Sequence, residues 1–160
     1  MDQLMQVAQT LCLSKVTLAA GTTSTISTTG TTTYGIKGKA YTKTAITNGA
    51  TPTTDADTGL AFPPVAANQG TIIVIGLDAS GNIKACQGSV ETLDIGGNFI
   101  NLPRTPGIPD TMCPIGYITV LAGATAVGNW TFGTNNLSSV TGLTYNFQDL
   151  IMMPFRPVAS

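Results

Sequence analysis

Thr71-Ile-Ile-Val-Ile-Gly-Leu77 is an unbroken apolar run of strand length, rich in β-branched side chains, and it narrows the choice of fold more than any other stretch. A strand that is apolar on both faces belongs inside a sheet, with both faces covered. Asp78-Ala-Ser-Gly-Asn82 follows with the Asp, Gly and Asn chemistry of a hairpin turn, and Ile83 to Val90 reads as the return strand. Gly116-Tyr-Ile-Thr-Val-Leu121 is a further core strand, and Phe99-Ile-Asn-Leu102 a short one. The chain is predicted to be β-rich.

One segment reads differently. Over residues 2–13, Leu4, Ala8, Leu11 and Cys12 share a helical face, with Gln3, Gln6 and Thr10 largely opposite. Three turns are marginal alone in water, so this helix packs on its own domain or docks on a partner. Gly21 to Thr33 is almost all Thr, Ser and Gly, and Gly30 sits where a turn between two Thr-rich strands needs one. A polar hairpin is expected there, with a Thr-rich linker as the alternative. From Thr33 to Thr47 the pattern predicts one alternating strand. Tyr34, Ile36, Ala40, Thr42 and Ile46 take one face and Lys37, Lys39 and Lys43 the other. That lysine face reads as solvated edge protection, or as a weak positive stripe for an acidic partner.

Asn48 to Asn68 is expected to be a long loop. Asp55-Ala-Asp57-Thr-Gly59 inside it resembles the start of a calcium loop, but the twelfth position is Ala66, where a bidentate Glu is needed. A turn pinned by Asp side chains is the better reading. Pro103 to Pro114 holds Pro103, Pro106, Pro109 and Pro114, and is predicted to be an extended strap, excluded from helix and from central strand. Trp130-Thr-Phe-Gly133 and Ser139 to Phe147 carry further large residues, and Leu150 to Val158 forms an apolar, proline-broken tail. Such a tail needs a burial site, on a neighbouring subunit or on its own domain.

Charge and chemistry then exclude function classes. Lys and Arg number seven, Asp and Glu eight, and His is absent. Only 9% of residues are charged, against roughly a quarter in ordinary soluble domains, and 27 threonines fill much of the gap. No electrostatic footprint for nucleic acid or an anionic membrane is present. Without His there is no His-based general base and no His metal ligand. Cys12, Cys86 and Cys113 show no framework spacing, which predicts free, buried thiols. Asp55, Asp57, Asp78, Asp94, Asp110 and Asp149 stand in turn or element-end contexts that favour backbone duty over a catalytic pair with Glu91. Ala79-Ser-Gly81 is no nucleophile elbow, and Gly35-Ile-Lys-Gly-Lys39 lacks the spacing of a phosphate loop. No catalytic, cofactor-binding or metal residue is assigned, and no enzyme is expected. Met1-Asp2-Gln3 opens without a positive region, and no run approaches a membrane span of about 20 apolar residues, so synthesis and assembly in a cytoplasm are expected.

Several stretches together resemble small virion proteins of tailed bacteriophages, the capsid decoration (cement) and head-fibre class. They are the Thr/Gly run into Thr33-Tyr-Gly-Ile36 and Ala40-Tyr-Thr42, the turn Gly76–Asn82 with Gln87-Gly88, the strap Pro106–Asp110 leading to Cys113-Pro-Ile-Gly-Tyr117, and Trp130–Gly133. The resemblance covers roughly residues 22–149. It implies an all-β, jelly-roll-like sandwich or barrel, often trimeric, seated on the outer head surface where capsid proteins meet. It carries over no catalytic or metal residues. The resulting expectation is an N-terminal helix or arm (1–20), a β domain (21–149) and an extended tail (150–160). Its partners would be the major capsid protein and further copies of itself, on the virion surface. The runner-up is a head or tail fibre component that binds host glycans by stacking on Tyr41, Trp130 and Tyr145.

Overall fold

The computed structural model describes residues 10–126 and 128–150. Among these there is no helix, and every ladder is antiparallel, in three sheets of which none closes into a barrel. The all-β, sandwich-like expectation holds; the barrel alternative does not.

The main sheet is built on the apolar run. Strand β7 (Gln69–Asp78) lies between β10 (Met112–Ala122) and β8 (Ile83–Gln87), and β11 (Leu143–Asp149) completes the order β11-β10-β7-β8. The short β9 (Glu91–Thr92) pairs with the first two residues of β7. Alternation divides the side chains of β7 between two faces. Ile73, Ile75 and Leu77 enter the principal core, together with Ile118, Val120 and Ala85. Val74 enters a smaller cluster on the reverse face with Cys86 and Met112, against which Tyr117 and Ala56 pack. Both faces of the run are covered, as its composition demands.

Two small sheets accompany this one. β1 (Leu11–Cys12), β4 (Thr32–Ile36) and β5 (Lys39–Lys43) form the order β1-β4-β5, and β1 and β4 pack against β10. β2 (Ala19–Ala20), β3 (Thr25–Ser27) and β6 (Gly49–Ala50) form the other. Phe62, Phe132 and Trp130 fill the core beside them, with Phe132 edge-on to Phe62 at 5.1 Å between ring centroids.

Several local expectations are corrected. The helix over 2–13 does not extend through its last residues, since Leu11 and Cys12 are strand, paired with Gly35 and Tyr34, and Cys12 is buried; residues 1–9 lie outside the described chain. Val16 and Leu18 are core residues, so the stretch from 10 to 20 belongs to the β domain rather than to an arm. At Leu11 and Cys12, tertiary pairing outweighs the helical pattern. The Thr-rich strands do not form a hairpin with each other: β3 pairs with β2 and β6, and β4 with β1 and β5.

The single strand expected over Thr33–Thr47 is instead the tight β4–β5 hairpin. Lys37 (φ 50°) and Gly38 (φ 76°) both adopt left-handed conformations, the signature of a type I′ turn. The reversal inverts the alternation. Tyr34 now faces Tyr41 with rings 5.7 Å apart, and Lys39 and Lys43 share the face of Tyr34 and Ile36 rather than forming a separate lysine face.

Pro114 lies inside β10, a central strand, contrary to expectation. The register with β7 shifts between Pro114 and Gly116, so a β-bulge at Ile115 interrupts the ladder where proline has no N–H to give. Ile115 stays buried, and its carbonyl accepts the Leu150 N–H at 3.0 Å. The extended strap therefore ends at Thr111. Phe99–Leu102 is no strand either; its only ladder contact is an isolated bridge between Phe99 and Leu93.

The hairpin turn at 78–82 forms as expected. Asp78 Oδ1 accepts the N–H groups of Ser80 and Asn82, both at 2.9 Å, and Gly81 (φ 75°) closes the turn. Burial opposes the charge on Asp78, but hydrogen bonds from Asn82 and Ser80 and the nearby Lys84 outweigh it and hold the carboxyl below its ordinary value.

All three cysteines are free and buried. Loss of hydration raises the Cys12 thiol, and pushes Cys86 up to about 11 and Cys113 to about 12, with Asp55 beside Cys86 and Cys12 beside Cys113 adding to the effect. The native protein at pH 8 is expected to resist a thiol reagent, and to expose all three thiols together when unfolded in guanidinium. Rapid labelling of any thiol in the native state would contradict this packing.

Candidate interaction surface

The carboxylates come first, since they decide what chemistry the surface can do. Asp55 is 6% exposed and serves its own backbone: Oδ1 accepts from Asp57 N (2.9 Å) and Thr58 N (3.1 Å), and Oδ2 from Gln87 N (2.7 Å). Ala56 N donates to Ala85 O at 2.8 Å, so this loop covers the outer edge of β8. The expected long loop at 48–68 is thus tied down, by β6, by a Thr54–Ala61 bridge and by Val65 pairing with Trp130. Asp55 is the side chain that pins its turn, as the Asp-rich sequence suggested, and a carboxylate so engaged has no oxygen left facing an open site.

Asp94 closes the turn to Asn98 with a 2.8 Å bond from Asn98 N, and that bond chiefly keeps its carboxyl below the ordinary range. Asp149 accepts the N–H groups of Leu18 (2.7 Å) and Thr17 (3.1 Å), clasping the N-terminal strands to the end of β11. Asp110 pairs with Lys37 at 2.7 Å, and Glu91 accepts from the Ser89 hydroxyl. Among the described residues, no group of three or more His, Cys, Asp or Glu side chains is placed to hold a metal.

Of the three glycan-stacking candidates, two lie side by side. Trp130 is 4% exposed, its indole N–H donating to Asn136 O at 2.9 Å. Tyr145 is half-buried beside it, ring centroids 5.8 Å apart, with its hydroxyl on the same carbonyl. Tyr41 stacks on Tyr34, and Lys39 Nζ lies 5.4 Å from its ring centroid. The structure does not gather these three rings into one platform.

What the surface does present is aliphatic. Leu13, Leu60, Ile95, Ile100, Leu102 and Ile108 all stand exposed. Three of them follow one another on the connection from β9 to the strap. The Asp94–Asn98 turn, with Gly97 at φ 77°, lifts Ile95 fully into solvent. The chain then runs extended. Phe99 points inward, its ring filling the space a side chain at Gly70 would need, while Ile100 (61% exposed) and Leu102 (84%) point out. No charged residue lies between Asp94 and Arg104. Beside Ile95 is a recess of about 190 Å³, lined by Asn68, Leu93, Asp94, Ile95, Gly97, Gly123 and Ala124.

The strap that follows is fastened at intervals. Arg104 N donates to Ser89 Oγ at 2.8 Å, Gly107 packs on the Asp57 carboxylate, and Met112 N donates to Pro109 O at 3.0 Å. Leu60 and Ile108 are exposed on the two segments that meet at Asp57 and Gly107. Sequence reading did not single out Ile95, Ile100, Leu102, Leu60 or Ile108 as surface residues, because an aliphatic side chain in an uncharged stretch reads as core. The one available signal was the Gly96-Gly97 pair, which marks a turn rather than a buried strand.

Comparison of the chain with protein-family models, with curated proteins and with solved structures finds no match.

Proposed function

We propose that this chain is a structural virion protein: a decoration, or cement, protein that binds the outer surface of a phage head as a homo-oligomer, most simply a trimer, and stabilises the shell. The observation that carries this reading is the surface: large aliphatic side chains stand out on fastened loops, while Asp55, Asp78, Asp94, Asp110 and Asp149 are engaged by the protein's own backbone and lysines. A surface of that kind favours close, dry contact with other proteins, because few ions have to be desolvated on docking. Repetition over a symmetric shell lets modest contacts sum to lasting attachment. Leu60, Ile108 and the rest of the strap supply the face toward the capsid protein, and fastening the strap beforehand lowers the ordering cost of docking.

Purified particles, analysed by quantitative mass spectrometry, test the proposal. This chain is expected in near-stoichiometric ratio to the major shell protein. A handful of copies per particle would assign it to a fibre or tail instead, and complete absence would remove it from the virion.

A further inference from the structure

The sheets leave their outer edges in unequal condition. That of β8 is closed by the 55–63 loop, with Ala56 N donating to Ala85 O at 2.8 Å and Gln87 N to Asp55 Oδ2 at 2.7 Å. β5 carries Lys39 and Lys43, side chains of the kind that discourage pairing. β11 has no such protection: Leu143-Thr-Tyr-Asn-Phe-Gln-Asp149 holds no lysine, arginine, proline or bulge. Its one charge, Asp149, already accepts the Leu18 and Thr17 N–H groups. Gly123 N bonds to Gly142 O and Leu150 N to Ile115 O, which sets the alternation along the strand. Thr144, Asn146 and Gln148 turn their backbone groups to β10, and Leu143, Tyr145, Phe147 and Asp149 turn theirs outward. Among the described residues, nothing meets the outward N–H and C=O groups of Tyr145, Phe147 and Asp149.

We propose that this edge pairs with β11 of a second copy, antiparallel and about a two-fold axis at Asn146, so that two main sheets join into one. A backbone edge accepts any extended chain; what selects a copy of itself is the side-chain match, because the strand is self-complementary. The register that uses the whole strand sets Tyr145 against Phe147 of the second copy and Phe147 against its Tyr145, each pair exchanging both backbone bonds. These rings are half-buried on the core side of the sheet, so pairing covers their remaining surface with aromatic against aromatic. On the reverse side, exposed Thr144 meets Gln148 and Asn146 meets Asn146, polar against polar. Asp149 falls opposite Leu143, so no like charges face each other. Such an isologous contact joins copies two by two. It is separate from any three-fold contact in the functional reading above and does not depend on that reading.

Full-length chains test it at Asn146, the one position that meets itself. Its side chain is exposed, so variants there fold, which far-UV circular dichroism verifies. Asn146→Lys and Asn146→Asp bring like charges face to face, and each is expected to raise the concentration for half-dimerisation about fivefold or more in sedimentation experiments. An equimolar mixture of the two is expected to recover the parent value. Oxidised Asn146→Cys is expected to give a disulfide-linked dimer by intact mass, since facing residues without backbone bonds lie about 4.5 Å apart at Cα. The native thiols are buried and do not compete. Thr144→Cys is expected to cross-link only when mixed with Gln148→Cys. Charge variants that associate at the parent concentration, with no Asn146→Cys dimer, overturn the pairing and leave the functional reading to its copy-number test. A parent that stays monomeric at all concentrations overturns the pairing too. So does slow amide exchange at Tyr145 and Phe147 in the dilute monomer, which would mean that the chain's own segments close the edge.

Discussion

Asp55→Ala is expected to lower the unfolding free energy by about 3–5 kcal/mol, which is a large share of the whole stability of a domain of this size. Three backbone N–H groups, of Asp57, Thr58 and Gln87, converge on this one carboxylate, and its burial keeps water from replacing it. Truncation leaves those donors without their acceptor, and each buried hydrogen bond to a charged partner is worth about 1.5–3 kcal/mol. The effect reaches beyond the turn. Gln87 lies on β8, so the same carboxylate fastens the 55–63 loop over an edge that would otherwise be open to pairing with other chains. Asp55→Asn keeps one acceptor oxygen and is expected to lose about half as much. Urea titration followed by Trp130 fluorescence reads both variants. A loss under about 1 kcal/mol for the alanine variant would mean that solvent reaches these donors.

Gly133→Ala is expected to cost about 3 kcal/mol or more, from two effects that add. Gly133 has φ 76°, a left-handed conformation that costs an alanine roughly 1 kcal/mol. A methyl there also collides with the carbonyl group of Pro52, backbone that cannot swing aside. The Trp130–Gly133 segment and the loop after β6 would have to separate, and Phe132, fully buried against Phe62, would move with them. Gly30→Ala is the control. Gly30 has φ 72° and open space where its methyl would go, so only the conformational part, about 1 kcal/mol, is expected. Equal losses for the two variants in the same urea titration would refute the collision with Pro52.

Legibility in the sequence followed how many structural roles a residue type can fill. The run Thr71–Leu77 was readable because a strand apolar on both faces has one stable place, and Asp78–Asn82 because Asp, Gly and Asn each meet a specific need of the turn. Pairing was harder. Lys37-Gly38 forms a type I′ turn without the usual Asn-Gly, and the lysines at 37, 39 and 43 kept an apparent alternation running straight through the reversal. Pro114 argued against a central strand, and only the bulge at Ile115, a property of two strands together, makes it acceptable there. Phe99–Leu102 is apolar enough to read as a strand, but only Phe99 and Ile100 touch the chain at Leu93 and Thr92, and Ile100, Asn101 and Leu102 all stand exposed. The aliphatic surface was least legible. Whether Ile100 is core or surface depends on what the rest of the chain covers, which no local pattern records.

The clasp of Asp149 on Thr17 and Leu18 bears on how the protein is born. Leu18 and Asp149 are 131 residues apart in sequence, so the first strands cannot be locked while the chain is still short. β7 likewise waits for β10, more than thirty residues downstream, before its second edge is paired. At about 5–20 residues per second, a ribosome takes roughly 7–26 s to travel from Leu18 to Asp149. Within it, from the end of β7 at Asp78 to the start of β10 at Met112, roughly 2–7 s, the apolar β7 is synthesised but has only one edge paired. Neighbouring nascent chains on one messenger carry the same half-paired strand, so mispairing between chains has its opening during translation, before β10 is made.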